Sequence, residues 1–343
     1  MHKRWGLLLV PLLLIAAVAA CGGDDDDDTA GGGSSGKDDP ITIGYSAWPG
    51  WFVWAVADKE GIFDDVGVDV ELKYFADYLT SLEAMSTGKL DANSQTLNDT
   101  LVSVSAGSDQ RIVITNDNSA GNDAIIVDKS IKSIEDLKGK KIAAELGVVD
   151  HFLLLQGLAT KDMTEDDIQF SGVLTADAAA AFANGKFDGV GVFAPFTVEA
   201  LKRPGSHVLF DSSDFPGTIP DHLVVTPDLV EDRPEDVQKL VDAWYATLDF
   251  IKAHPDEARK TMAEVAEVSE AEYKSFEAGT HLFTAEEALA AFDGDKAPEG
   301  LKPMAEEISK FLVDTKLAEE EPDLDKVFDS SFTKDYLDRN GGD

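Results

Sequence analysis

Residues 41–51, Ile41-Thr42-Ile43-Gly44-Tyr45-Ser46-Ala47-Trp48-Pro49-Gly50-Trp51, decide the fold of this chain. The first five read as a strand, the next five as a loop built around Pro49-Gly50, and Trp51 opens a helix running to about Glu60. Gly61 stops that helix as a C-terminal cap. The same alternation continues on the C-terminal side. Val68-Asp69-Val70-Glu71-Leu72 alternates as a strand, Thr80 to Thr87 is helical and ends at Gly88, Asn98 to Ala106 is a further helix, and Arg111 to Thr115 a further strand. Strands interleaved with helices of this length predict a mostly parallel sheet covered on both faces.

The pattern then restarts. Ser133 with Asp136 forms a capping box in which Asp replaces the usual Glu or Gln. Strands are expected at 141–144, 168–174 and 189–193, and helices at 149–159 and 176–184. Two α/β units in one chain imply two lobes. Asp123-Ala124-Ile125-Ile126-Val127 and Asp221-His222-Leu223-Val224-Val225 share the shape Asp-x-apolar-apolar-Val and read as strands that leave lobe one and return to it. Beyond Pro227 the chain reads as helix almost throughout, at 234–253, 256–265, 269–277, 284–292 (with a Thr284/Glu287 capping box) and 302–315. The expected boundaries are therefore 40–122 and 227–343 for lobe one, with the helical tail cladding it, and 123–226 for lobe two with its hinge strands. The hinge is expected near Asn122-Asp123 and Pro220-Asp221.

Upstream, His2-Lys3-Arg4 is a basic head, Trp5 to Ala17 an apolar run too short to span a bilayer, and Val18-Ala19-Ala20 a small-residue approach to Cys21. Residues 1–20 read as a signal peptide. The cysteine directly after it resembles the acylated first residue of a bacterial lipoprotein, which implies an exported protein anchored by lipid at Cys21. Residues 21–39, with five consecutive aspartates and a Gly/Ser-rich stretch, cannot bury enough apolar surface to fold and read as a tether. With one cysteine there is no intramolecular disulfide. The formal charge of −37, from 29 basic and 66 acidic residues, argues against nucleic acid as a partner.

The joint order of "ITIGYSAWPGWFVWAVADKEGIF", "SLEAMSTGKLDANSQTLND", "GNDAIIVDKSIKSIEDLKGKKIAAELGVVDHFLL" and "ANGKFDGVGVFAPF" resembles the nitrate/sulfonate/taurine-type solute-binding proteins of ABC importers. The wording "SAWPGW", "SQTLND" and "GVVDHFLLLQGL" looks like the urea-type subgroup. The resemblance implies a two-lobe periplasmic-binding-protein-like α/β clamshell of type II. It also implies a small-molecule solute, a permease and ATPase as partners, and a monomer that captures without reacting.

Catalysis finds little footing in the residues. The six histidines (His2, His151, His207, His222, His254, His281) show no metal-ligand spacing, and neither a nucleophile elbow nor a phosphate loop is present. No catalytic residue, metal or cofactor is expected. A related fold serves as a pyrimidine synthase in thiamine biosynthesis through a cysteine-rich segment that this chain lacks.

Solutes of open α/β sheets bind at the C-terminal ends of the strands. The loops there, 45–51, 93–99, 116–123, 145–150 and 193–196, contain neither Lys nor Arg. They carry Asp99, Asp117, Asp123, Glu145 and Asp150 with the aromatic Tyr45, Trp48, Trp51, Phe193 and Phe196. Carboxylates would repel an anion in a low-dielectric cleft, whereas a guanidinium can pair with a carboxylate and stack on a ring. Neutral urea would use Gln95 and Asn98 as well. The expected solute is thus a small planar nitrogen compound, guanidine- or urea-like. A small anion (nitrate, aliphatic sulfonate or taurine) held at helix N-termini is the alternative, and a non-transport sensor a further one. The expected binding residues are Glu145, Asp150 and Trp48 first, then Tyr45, Gln95, Asn98, Asp99, Asp123 and Phe193. Of Trp51 and Trp54, three apart on one helix, at least one is expected in the core, and His151 is expected to be structural. Asp99 and Asp150 also suit first turns of helices without any ligand.

Overall fold

The computed structural model describes residues 39–341. The expected signal peptide, Cys21 and the expected tether up to residue 38 lie outside the described residues.

A first strand buried almost throughout, with Ile41, Ile43 and Tyr45 on one face, begins a six-stranded sheet. Its early members are β1 (Ile41–Ser46), β2 (Val70–Phe75), β3 (Ala92–Thr96) and β4 (Arg111–Ser119). The chain then leaves and builds a second sheet from β5 (Asp123–Val127), β6 (Lys141–Ala144), β7 (Gln169–Gly172), β8 (Gly189–Phe193) and β9 (His207–Asp211). It returns as β10 (Pro220–Val225) and later adds β11 (Thr280–Leu282). The sheet orders are β11-β4-β10-β3-β1-β2 and β7-β6-β8-β5-β9. These are the two α/β lobes that the alternation predicts, in the clamshell fold that the resemblance implies.

Each sheet is parallel except at the strands that follow a crossing between lobes and at the edge strand β11, which runs antiparallel to β4. β1 pairs in parallel with β2 and β3, while β10 runs antiparallel between β3 and β4. In the second sheet β6 pairs in parallel with β7 and β8, while β5 runs antiparallel between β8 and β9. The two Asp-x-apolar-apolar-Val segments are therefore equivalent pieces of the two lobes. Pro220–Val225, assigned with lobe two on sequence, is hydrogen-bonded into the first sheet, so the second crossing precedes it. The crossings meet where the Ser119 and Ser212 hydroxyls lie 2.7 Å apart and the Gly121 amide donates to Ser212 Oγ at 2.7 Å. Gly121 has φ 127°, a conformation open to glycine at little cost.

The helical tail covers the first lobe. Helix Pro234–Ala253 packs on helices Val53–Lys59 and Ile62–Val66, helix Leu301–Asp314 on helix Leu97–Ser105, and helix Ser331–Asn340 on β4. Trp54 and Trp244, both fully buried, meet at 4.8 Å between ring centroids in that interface. Burying side chains of this size contributes roughly 2–3 kcal/mol each. Three elements beyond residue 226 escape the expected segments: helix Pro227–Asp232, β11, which caps the sheet edge against β4, and helix Ser331–Asn340. The first is six residues long and the second three, too short for a periodic signal, and the third is among the most polar helices.

Both predicted capping boxes form. Lys132 and Ser133 amides donate to Asp136 Oδ2 at 2.9 and 3.1 Å, and Thr284 and Glu287 exchange bonds of 2.9 and 3.2 Å.

Candidate functional site

The loop after β1 folds over an acid. Trp48 Nε1 donates to Asp117 Oδ1 at 2.9 Å, and the Gly50 backbone lies so close that a Cβ there would stand 2.0 Å from Asp117 Oδ2. Pro49 is fixed from behind by the Tyr273 hydroxyl, which donates to its carbonyl at 2.9 Å. This clamp turns Trp48 and Trp51 toward the second lobe. Trp54 faces away into the core and donates to Ser94 Oγ at 2.9 Å. One indole of the pair is thus structural, as expected, and the other is not.

Four rings face one another across the interlobe gap. Trp51 lies 5.2 Å from Tyr78, Trp48 lies 6.5 Å from Phe193, Tyr78 lies 6.4 Å from Phe193, and Trp48 lies 6.4 Å from Trp51. Tyr78 is held by the Thr96 amide, which donates to its oxygen at 3.0 Å, and Thr96 Oγ1 donates to Asp99 Oδ2 at 2.7 Å. The rings enclose a cavity of about 10 Å³, lined by Trp48, Trp51, Tyr78, Thr96, Asp123, Val149, Phe193 and Asp221. That is the scale of a single water-sized sphere. None of the eight is Lys or Arg.

The acids around it are starved of partners. Asp221 is fully buried and neither of its oxygens has a hydrogen bond of normal geometry among the described residues. The same holds for Asp123 Oδ2, Asp117 Oδ2, Asp150 Oδ1 and the donor Trp51 Nε1. A buried carboxylate without a counter-charge is expensive, so the group takes up a proton instead. Burial pushes Asp99, Asp117 and Asp123 up to about 7, against the bonds from Thr96, Trp48 and Ser119 respectively, which oppose the rise. Asp150 and Asp221 are raised well above the ordinary carboxylate range, by burial first and then by neighbouring carboxylates: Asp123 and Glu145 for Asp150, Asp117 and Asp123 for Asp221. Among the described residues no group of three or more His, Cys, Asp or Glu is arranged to hold a metal ion.

The sequence-predicted residues divide. Trp48, Asp123 and Phe193 line the cavity. Asp99 and Asp150 sit one residue-layer behind it, Asp99 on Thr96 and Asp150 receiving Thr175 Oγ1 at 3.3 Å. Asn98 donates to Asp99 Oδ1 at 2.7 Å. Gln95 is spent inside lobe one, donating to Thr100 and Gln110, both at 2.9 Å, and accepting from Asn93. Tyr45 packs on Tyr74 at 5.4 Å and is not a cavity wall. Glu145 is also outside the wall: it accepts from Leu79 N at 3.3 Å and from Thr175 Oγ1 at 2.6 Å. His151 is buried between Glu165, 2.6 Å from Nε2, and the Phe170 ring, a structural setting. Sequence reasoning missed Tyr78, Thr96, Val149 and Asp221 as cavity residues. The shared shape of the two crossing strands carried the signal for Asp221, because it matches Asp123 position for position; nothing local marks Tyr78.

Two α/β lobes meeting over a small, ring-lined cavity define a periplasmic-binding-protein-like fold. The profile of the NMT1/THI5-like family matches residues 49–258, and the chain belongs to that family. A protein of Brucella abortus whose name gives it an unspecified binding role is 28% identical over 257 residues, covering 73% of this chain and 79% of the relative. The taurine-binding periplasmic protein of Escherichia coli is 25% identical over 267 residues, covering 74% and 81%. Among solved structures, the periplasmic aliphatic sulphonate binding protein of Escherichia coli superposes with a TM-score of 0.69 at 20% identity, over 85% of this chain and 98% of that one. Both curated relatives are named as binding proteins, not enzymes.

Proposed function

We propose that this chain is an exported solute-binding receptor of an ABC importer, which closes its two lobes over a small solute and presents it to a permease with its ATPase. Family membership and the names of the relatives support the receptor class. Lipid attachment at Cys21 belongs to the same reading and rests on the sequence alone.

For the solute itself, the acids and rings of the wall support a small cation of the guanidine type, whereas the comparisons support the small-anion alternative better. One observation carries the cation reading: Asp123 and Asp221 line a box of four aromatic rings, with buried carboxylate oxygens that lack partners and no basic residue in the wall. Rings and a desolvated carboxylate together reward a planar cation, the ring contribution being about 0.5–2 kcal/mol. Urea fits less well, since the wall supplies acceptors in excess.

The anion alternative is favoured by the comparisons, because taurine and aliphatic sulphonates appear in the relatives' names and a guanidine- or urea-like solute does not. Protonated Asp123 and Asp221, Trp51 Nε1 and the N-terminus of helix Val149–Ala159 would be its donors. Calorimetric titration with guanidinium, urea, nitrate and taurine decides between them. Tight taurine or nitrate binding with guanidinium inert removes the cation reading, and the reverse removes the anion.

A further inference from the structure

Helix Tyr78–Ser86 of lobe one begins without a cap of its own. Asp77 stands at its N-cap, yet its side chain bonds no backbone amide: Oδ2 receives Thr80 Oγ1 at 3.0 Å and Oδ1 is buried without a partner. The first-turn amides of a helix need acceptors from outside the helix. The Leu79 amide finds its acceptor in the other lobe, in Glu145 Oε1 at 3.3 Å. Glu145, at the end of β6, is aimed by Thr175, whose hydroxyl and amide hold Oε2 at 2.6 and 3.3 Å. The residue is 2% exposed and lies outside the cavity wall.

We infer that Glu145 is a positioning residue, a helix cap delivered across the gap that stabilises the closed lobes without touching the solute. The inference rests on the receptor reading above. When the lobes part, Leu79 N–H loses this acceptor, and Asp77, which precedes Leu79 at the helix N-cap and carries the same charge as Glu145, is free to take its place. Capping exchange thus sets the fraction of molecules closed before solute arrives. Apparent affinity scales with that fraction, for every solute alike.

Three variants test this, with calorimetry against guanidinium, urea, nitrate and taurine and with X-ray scattering of the solute-free protein. Glu145→Ala is expected to weaken whichever solutes bind by one common factor of about tenfold, and to shift scattering toward a larger radius of gyration. Glu145→Gln keeps an acceptor oxygen for Leu79 and is expected to stay within about threefold of the parent protein. Asp77→Asn removes the like charge and is expected to tighten binding about twofold. Equal losses in Glu145→Ala and Glu145→Gln confined to guanidinium would make Glu145 a solute contact and overturn the inference. Unchanged affinity and scattering in Glu145→Ala would overturn it too. If no solute binds the parent protein, the receptor reading fails, while the scattering comparison of Glu145→Ala with Glu145→Gln still decides the cap.

Discussion

Asp221 on β10 stands opposite Asp117 on β4 in the antiparallel register, two buried acids with no basic residue between them. One of the two carries a proton near neutral pH, because both charges together in a desolvated gap would repel strongly. Only Asp221 reaches the cavity wall, while Asp117 is tied to Trp48. Asp221→Asn removes the charge and keeps the shape. It should lower guanidinium affinity at least tenfold at pH 7.5 by calorimetry while raising the melting temperature of the solute-free protein at pH 8.

The pH dependence has a definite sign. Asp99, Asp117 and Asp123 are each raised to about 7 in the folded chain, above the usual carboxylate range of the unfolded one. Between about pH 4 and 7 the folded state therefore holds more protons, and the stability of the solute-free protein falls as pH rises through that window. Thermal melts at pH 5.5 and 8 should show the lower melting temperature at pH 8.

Binding shifts with pH in opposite directions for the two solute classes. A cation that pairs with Asp123 and Asp221 expels protons, so its affinity should rise from pH 5.5 to pH 8. An anion held by the protonated acids should bind more tightly at pH 5.5. Titrations in two buffers of different ionisation heat read the number and sign of the protons exchanged.

Trp48→Phe keeps a ring at the cavity and deletes the Nε1 donor to Asp117. Orphaning a buried acceptor costs about 1–3 kcal/mol, reduced when the acid is protonated. The loss in melting temperature should therefore be larger at pH 8 than at pH 5.5.

Gly50→Ala places a methyl group 2.0 Å from Asp117 Oδ2. The loop must move or the acid must turn away. Either outcome displaces Trp48 and Trp51 together, so folding stability and solute affinity should both fall, the affinity by about tenfold or more.

Much of this architecture is legible in the chain. The 41–51 stretch gives strand, loop and helix in order because Ile-x-Ile-x-Tyr alternation, a Pro-Gly pair and a helix-closing Gly61 are all local signals. The tail helix at 234–253 matches residue for residue, since Pro234 can only begin a helix and His254-Pro255 interrupts it. The acidic and aromatic character of the cleft loops is likewise a property of composition. The partners of each side chain are not. Glu145 reads as a solute ligand in the sequence because it is an acid at the end of a strand; the bond it receives from Leu79, 66 residues away, is visible only in the tertiary structure. Gln95 looks available until Thr100 and Gln110 are seen to consume its amide. Assignment of β10 to the second lobe failed because a strand's sequence states its period and burial, not which sheet edge accepts it.

By itself the sequence determined two alternating α/β units, a helical cladding and strand-end loops with acids and rings but no basic residue, because each is fixed by periodicity, punctuation or composition. Tertiary structure alone decided that Asp123 and Asp221 share one small cavity, that Tyr78 and Phe193 close it from opposite lobes, and that Glu145 caps a helix across the gap. These depend on chain crossings and lobe approach, where residues distant in sequence are desolvated together and their proton affinities are set by one another.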